Sequence, residues 1–152
     1  MRFDMVACFV VRRSGNGGHE FLQLRRSPGR YLGGAWSTVR GRIEPGETAA
    51  AAALRELREE AGLAPQEFYQ LDTVDVFYLA ADDTIWHCPG FCAIVPENAI
   101  VTLNEEHDAY RWVDRSQVET RFLWPGERVQ LAELCREILD NGPAKPFLRI
   151  LL

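Results

Sequence analysis

Residues 48–61 constrain the fold more than any other stretch of the chain. They hold no glycine or proline, no β-branched residue after Thr48, and five consecutive alanines at 49–53. Alanine loses no side-chain freedom in a helix, so this composition predicts one. Thr48 stands where an N-cap accepts from the first free N–H groups, and Gly62 where a left-handed residue ends a helix. The flanking segments are of a different kind. Residues 3–12 (FDMVACFVVR) and 20–26 (EFLQLRR) are short apolar runs joined by the glycine-rich loop 13–19, which predicts two strands. Residues 27–34 are irregular, 35–39 extended, and 41–47 a turn. Two strands are predicted over 68–80 and 84–95, around a turn at Asp82 and Asp83, and two more over 99–103 and 109–113. A last helix is predicted over 126–140, started by Pro125 and stopped by Asn141 and Gly142, with Val129, Leu131, Leu134, Cys135 and Ile138 facing inward. Strands on both sides of a central helix predict an α/β (α+β) fold. The 152 residues suit one domain, 1–152, with a core of its own.

On a helical wheel of about 100° per residue, Ala50, Ala53, Leu54, Leu57 and Ala61 gather on one side, the predicted buried face. Glu56, Glu59 and Glu60 gather on a neighbouring stripe. Ala49 and Ala52 lie along that stripe and leave room for something other than a side chain. Glutamates at i, i+3 and i+4 repel one another by roughly a few tenths of a kcal/mol per pair. On an ordinary helix they form a solvated face, here with Arg55 and Arg58 as partners. A divalent cation removes the repulsion and makes use of it. Mg2+ takes oxygen ligands in an octahedron, keeps several waters, and is commonly held between carboxylates and substrate phosphates.

The context of the three glutamates separates these readings. Residues 41–63 read GRIEPGETAAAAALRELREEAGL. This resembles, without a departure, the Nudix box: Gly41, Glu47, Arg55, Glu56, Leu57, Glu59, Glu60, Gly62 and Leu63 stand at its required positions. At residue frequencies of about 5–10%, such a match arises by chance in roughly one window in a billion. The chain is thereby identified as a member of the Nudix family. The resemblance implies an α/β/α sandwich with a mixed β-sheet, 48–61 as catalytic helix and 126–140 as C-terminal helix. It implies a Mg2+-dependent pyrophosphohydrolase, with Mn2+ able to substitute, acting on a nucleoside diphosphate linked to a further group. It also implies Glu56, Glu59 and Glu60 as metal ligands, with the Gly41 carbonyl completing the site. Glu47 and Arg55 then lie behind them, Arg55 one turn from Glu59 and able to orient it. The chemistry agrees, because water attacks phosphorus through a highly anionic transition state. Carboxylates cannot stabilise that charge, but they can hold metal ions that do.

Outside the box, LNEEHDAYRWV (103–113) is similar to segments of two Nudix groups. One comprises dihydroneopterin triphosphate or dATP pyrophosphohydrolases, the other diadenosine tetraphosphate hydrolases. Glu106 matches the glutamate of that motif, as further metal ligand or general base, with Glu105 beside it as the alternative acid. The general base stays open between Glu106 and Glu59. The lead-in GAWSTVRG places Val39 and Arg40 where Pro and Gly often stand, which is closer to the dihydroneopterin triphosphate group, as is FLWPGERVQL (122–131). Trp36 reads as packing rather than a base-stacking surface. Arginine forks grip phosphates best, so Arg25 and Arg40, flanking the expected mouth with Arg26, are the candidate substrate-binding residues. His87, Cys88 and Cys92 lack the spacing of a structural zinc site and read as strand residues.

Charge and cysteine use limit the partners. A net charge of −5 and the absence of a basic run argue against nucleic acid and against an RNA pyrophosphohydrolase. The longest apolar runs, such as 5–11, are too short to span a bilayer, and the first residues do not read as a signal peptide. Four scattered cysteines fit a reducing, cytoplasmic setting. The expected partner is a small nucleoside or pterin polyphosphate, cut to monophosphate and pyrophosphate by a monomer or homodimer. A diadenosine polyphosphate hydrolase is the alternative, and a non-catalytic nucleotide-binding regulator a further one. The regulator has no need for all four box glutamates, and all four are present.

Overall fold

The computed structural model describes residues 4–152; the beginning of the first expected strand, at residue 3, lies outside them. The strands β1 (Met5–Arg13) and β2 (His19–Arg26) form a hairpin, β3 (Trp36–Ser37) pairs with β2, and β4 (Val39–Arg42) pairs with β1. Next come α1 (Ala49–Ala61), β5 (Glu67–Gln70), the hairpin β6 (Asp75–Leu79) with β7 (Thr84–Cys88), β8 (Gly90–Ile94) and β9 (His107–Asp114). The chain ends with α2 (Val118–Arg121), α3 (Pro125–Glu133), a π-helical turn Leu134–Leu139, α4 (Lys145–Leu148) and β10 (Arg149–Ile150). Eight strands make one mixed sheet in the order β10-β5-β8-β1-β2-β3, with β4 also on β1 and β9 on β2; β1 and β8 run parallel.

Alternation along β1 builds two cores. Val6, Cys8 and Val10 face α1 and pack with Ala53, Leu57 and Ala61. Ala7, Phe9 and Val11 face the other way and pack with Phe122, Leu131, Leu134 and Ile138. Helices therefore cover both faces of the sheet, the expected α/β/α layering. Among the described residues no helix is long and apolar enough to cross a membrane.

Several expected elements take a different form. The run 68–80 is two strands in different sheets. The chain leaves the large sheet at Leu71–Val74, where the N–H groups of Asp72 and Thr73 donate to the Glu133 carboxylate at 2.6 and 2.9 Å. The run 84–95 breaks at Pro89, which has no N–H to continue a ladder. Residues 99–103 form no strand. Ala99, Val101 and Leu103 pack on the core, and the Thr102 N–H bonds the Ala61 carbonyl at the end of α1 (2.9 Å). The turn expected at 41–47 begins as the end of β4. In the C-terminal helix Val129 is exposed, whereas Glu127, Gln130 and Glu133 are buried with Leu131, Leu134 and Ile138. The Gln130 amide donates to the carbonyls of Thr73 (3.0 Å) and Cys88 (3.4 Å), so the polar side chains turn inward to serve backbone groups the small sheet leaves open.

Candidate active site

The helix α1 is held at both ends by its own sequence. Thr48 Oγ1 accepts from the Ala51 N–H (3.1 Å), and Gly62 is left-handed at φ 68°, where its N–H reaches the Arg58 and Leu57 carbonyls. One face packs on β1 and β4. Ala52, expected to leave room beside the glutamates, is fully buried in the core, and Ala50 and Leu54 are only partly buried. Glu60 is the larger departure, because it turns into the protein and is 2% exposed. Gly41 explains how strand and helix come so close. A Cβ at that position would overlap the Glu56 side chain, so only glycine admits Glu56 there.

The acids divide into two groups. Arg55 organises the first. Its guanidinium donates to Glu47 at 2.8 and 3.0 Å, to Glu56 at 2.8 Å, to Glu59 at 3.2 Å and to the Arg42 carbonyl at 2.8 Å. Glu47 also accepts from the Glu44 N–H, and the Arg55 bonds with this one hold its carboxyl down at about 2. Glu59 is 52% exposed and points to solvent.

The second group surrounds Glu60. Burial first, then the neighbouring Glu56 and Glu106 carboxyls, push the Glu60 pKa far up; the Arg40 backbone N–H opposes this weakly. One Glu60 oxygen is buried without a hydrogen-bond partner. Glu106, Glu60 and His107 bring one ligand atom each to within 4.8 Å of one another. The loop before β9 places them: the Glu106 N–H donates to Asn104 Oδ1 (3.0 Å), while Ser27 binds the Glu105 and Glu106 carbonyls at 2.8 and 2.9 Å. Glu105 itself is exposed and outside the group. Burial, then Arg26 and Arg30, lower the His107 pKa to about 4, so the ring is neutral at ordinary pH.

The basic residues separate by strand register. Arg40 lies opposite Ala7 on β1, so its side chain is on the α3 face, paired with the buried Glu127 at 3.4 Å; only its backbone meets Glu60. Arg25 is half-buried, bonded to Asp108 at 2.8 Å and 5.8 Å from the Trp36 ring. Trp36 is partly buried under Arg111, whose guanidinium is 4.1 Å from the ring centre, and belongs to neither core. Arg26 and Arg30 are the positive charges that act on His107, and sequence reasoning named only the first, as a flanking residue. It gave no role to His107 and Asn104, which stand inside the quoted segment 103–113, and did not reach Ser27, because the motif does not tell which of its residues face the helix. His87 and Cys88 lie on β7 and Cys92 on β8, and all four cysteines are free thiols. Two surface clefts of about 230 and 780 Å3 lie elsewhere, around Arg115, and neither is lined by a box residue.

Known proteins resemble the chain in sequence and in fold. A family model described as NUDIX domain matches residues 1–134. Over 109 residues the chain is 41% identical to an octanoyltransferase of Myxococcus xanthus, covering 70% of this chain but 30% of that protein. It is 29% identical over 140 residues to the nucleoside triphosphatase NudI of Klebsiella pneumoniae, covering 88% of this chain and 97% of the relative. It is 31% identical over 109 residues to the asymmetrical bis(5'-nucleosyl)-tetraphosphatase of Sus scrofa, covering 68% and 70%. In fold it resembles a Caenorhabditis elegans Ap4A hydrolase binary complex, with a TM-score of 0.74 at 21% identity over 90% of this chain and 97% of the other. It also resembles the Escherichia coli dihydroneopterin triphosphate pyrophosphohydrolase, with a TM-score of 0.67 at 19% identity over 92% and 99%.

Proposed function

We propose a function from one premise: the chain belongs to the Nudix family. It is a hydrolase of phosphoric anhydride bonds. We infer that it cuts a nucleoside or pterin triphosphate to the monophosphate and pyrophosphate with the help of Mg2+ or Mn2+. The observation that carries this reading is the convergence of Glu56, Glu60 and Glu106, with one buried Glu60 oxygen left without a partner. Such a group is unfavourable alone and suits a divalent cation, which removes both the repulsion and the unmet oxygen. The donor set therefore fits the metal that the family implies, with Glu56, Glu60, Glu106 and the Gly41 carbonyl as its holders. When bound, the ion supplies positive charge to the phosphate oxygens and acidifies the attacking water.

The chain's own residues do the rest. Glu59 faces solvent beside the group and is the base that takes the proton of the attacking water. Arg55 fixes the direction of Glu59 and Glu56, and Glu47 fixes Arg55 in turn. Arg26 and Arg30 grip the phosphates on the far side. Arg25 joins them when it leaves Asp108, and Arg40 contributes through its backbone.

A dinucleoside polyphosphate is the second reading, favoured by the 31% identity to the Sus scrofa tetraphosphatase and by two exposed tyrosines, Tyr31 and Tyr110, as stacking surfaces for a second base. A panel of nucleoside triphosphates, a pterin triphosphate, dinucleoside polyphosphates and nucleotide sugars tests both. Triphosphate cleavage with pyrophosphate as second product is expected. A much higher kcat/KM for diadenosine tetraphosphate, with ATP released, would establish the second reading.

A further inference from the structure

We propose that His107 is a nitrogen ligand of the divalent ion at this site, bound together with Glu60 and Glu106, and that it gives the site a preference for Mn2+ over Mg2+. The inference rests on the reading of the acidic group as a metal site, which by itself calls only for oxygen donors.

His107 opens β9 beside a register irregularity at Arg25 and Arg26 of β2. Its ring is 3% exposed, and both ring nitrogens are buried without a hydrogen-bond partner. Buried imidazoles normally satisfy at least one nitrogen with a carbonyl, a carboxylate or water, so two unmet nitrogens call for another partner. One nitrogen, one Glu60 oxygen and one Glu106 oxygen lie within 4.8 Å of one another, and among the described residues this is the group of acids, histidines and cysteines that meets so closely. Donors bonded to one ion at about 2.0–2.2 Å stand roughly 3 Å apart when adjacent and about 4.2 Å when opposite. Small rotations of the three side chains close the remaining difference. The unmet Glu60 oxygen and the unmet nitrogens thus supply two independent vacancies in one place.

Other roles fit less well. A proton-transferring histidine needs access to substrate or water, which 3% exposure denies. A purely structural histidine would be bonded to the strand or loop around it. Imidazole nitrogen binds Mn2+, Fe2+, Co2+ and Zn2+ better than Mg2+, which keeps to oxygen. One nitrogen among carboxylates therefore shifts the site toward the softer ions without excluding Mg2+.

The test is Mn2+ binding followed by pulsed electron paramagnetic resonance, which detects nitrogen bonded to the ion. The wild type should show a histidine-type 14N coupling that persists in His19→Gln and His87→Gln and vanishes in His107→Gln. The last variant should bind Mn2+ about tenfold more weakly or worse, with Mg2+ binding, read by competition, changed less. Circular dichroism of His107→Gln and His107→Asn separates unfolding from loss of a ligand, and the wild-type coupling needs no variant. Mn2+ bound at Glu60 without 14N coupling, or bound equally tightly by a folded His107→Gln, would overturn the proposal and leave the metal-site reading intact. Mn2+ binding unaffected by Glu60→Gln and Glu106→Gln, or absent from the wild type, would overturn both.

Discussion

Replacing Glu60 by glutamine should remove activity and yet stabilise the metal-free protein, by an amount that grows with pH. Glu60 is buried, and its carboxyl pKa is raised well above neutral, first by that burial and then by Glu56 and Glu106. In the unfolded chain a glutamate titrates near about 4.3. The folded protein therefore holds the proton more tightly. The stability this contributes is complete below the unfolded value and is lost as pH rises toward the folded one. Each pH unit in that window removes about 1.4 kcal/mol, so between about pH 4.3 and 7 the metal-free wild type loses roughly 3 kcal/mol through this one group. Glutamine has the same shape, does not titrate, and can donate to the Glu56 carboxylate that Glu60 meets. In a domain of this size roughly 3 kcal/mol corresponds to about 6–12 °C in Tm. The assay is denaturation of both proteins in EDTA from pH 5 to 8, side by side, so that other titrations cancel in the difference. That difference should widen by about 1.4 kcal/mol per pH unit and shrink or reverse when Mn2+ is added, since the ion stabilises the form it binds. A difference that stays constant from pH 5 to 8 would refute the reasoning.

Other substitutions separate the roles. Gly41→Ala puts a Cβ where the Glu56 side chain now lies. Glu56 can swing away, so Tm should move by only a few degrees while kcat falls at least about tenfold; a fully active variant would remove Gly41 from the site. Glu59→Gln should lower kcat by roughly 100- to 10,000-fold at nearly unchanged Tm, because the side chain is largely exposed; near-normal turnover would reject Glu59 as base. Arg40→Ala strands the buried Glu127 carboxylate and should cost about 3–5 kcal/mol in urea denaturation. Arg40→Met combined with Glu127→Leu should recover most of that and keep KM for a triphosphate, whereas a large rise in KM would return the Arg40 side chain to the phosphates.

The fold was legible wherever local forces decide it. The alanine run, Thr48 and Gly62 act within one or two turns, and α1 begins and ends where they direct. The two faces of β1 follow from simple alternation. The C-terminal helix begins at Pro125 as read, but its inward face does not follow hydrophobicity. Apolar spacing puts Val129 inside, whereas it is exposed, and says nothing of Glu127, Gln130 and Glu133, which are buried. The reason lies at another point in the chain. The backbone at Asp72 and Thr73 leaves the large sheet without strand partners, and Glu133 and Gln130 replace them. No local pattern announces that need. Residues 99–103 failed for a related reason, since an alternating run becomes a strand only if a neighbour offers it an edge.

At the candidate site the same physics leaves a different trace. Glu133 is buried with both carboxylate oxygens serving the Asp72 and Thr73 N–H groups, Gln130 is buried with its amide N–H donating to Thr73, and Glu47 is partly buried against Arg55. Glu60 and His107 are buried just as deeply, yet each keeps polar atoms that nothing in the protein satisfies. The box pattern reached Glu60 and the motif outside the box reached Glu106, because both are recurrent in sequence. His107 stands in the same motif, but sequence reasoning assigned it no role, and its place beside Glu60 appears only when the loop held by Asn104 and Ser27 brings it against the helix. Two buried polar residues left unpaired at one point are unfavourable for the fold alone. On the proposed reading a metal ion would supply a partner to Glu60 and to His107 at once, which neither residue finds within the protein.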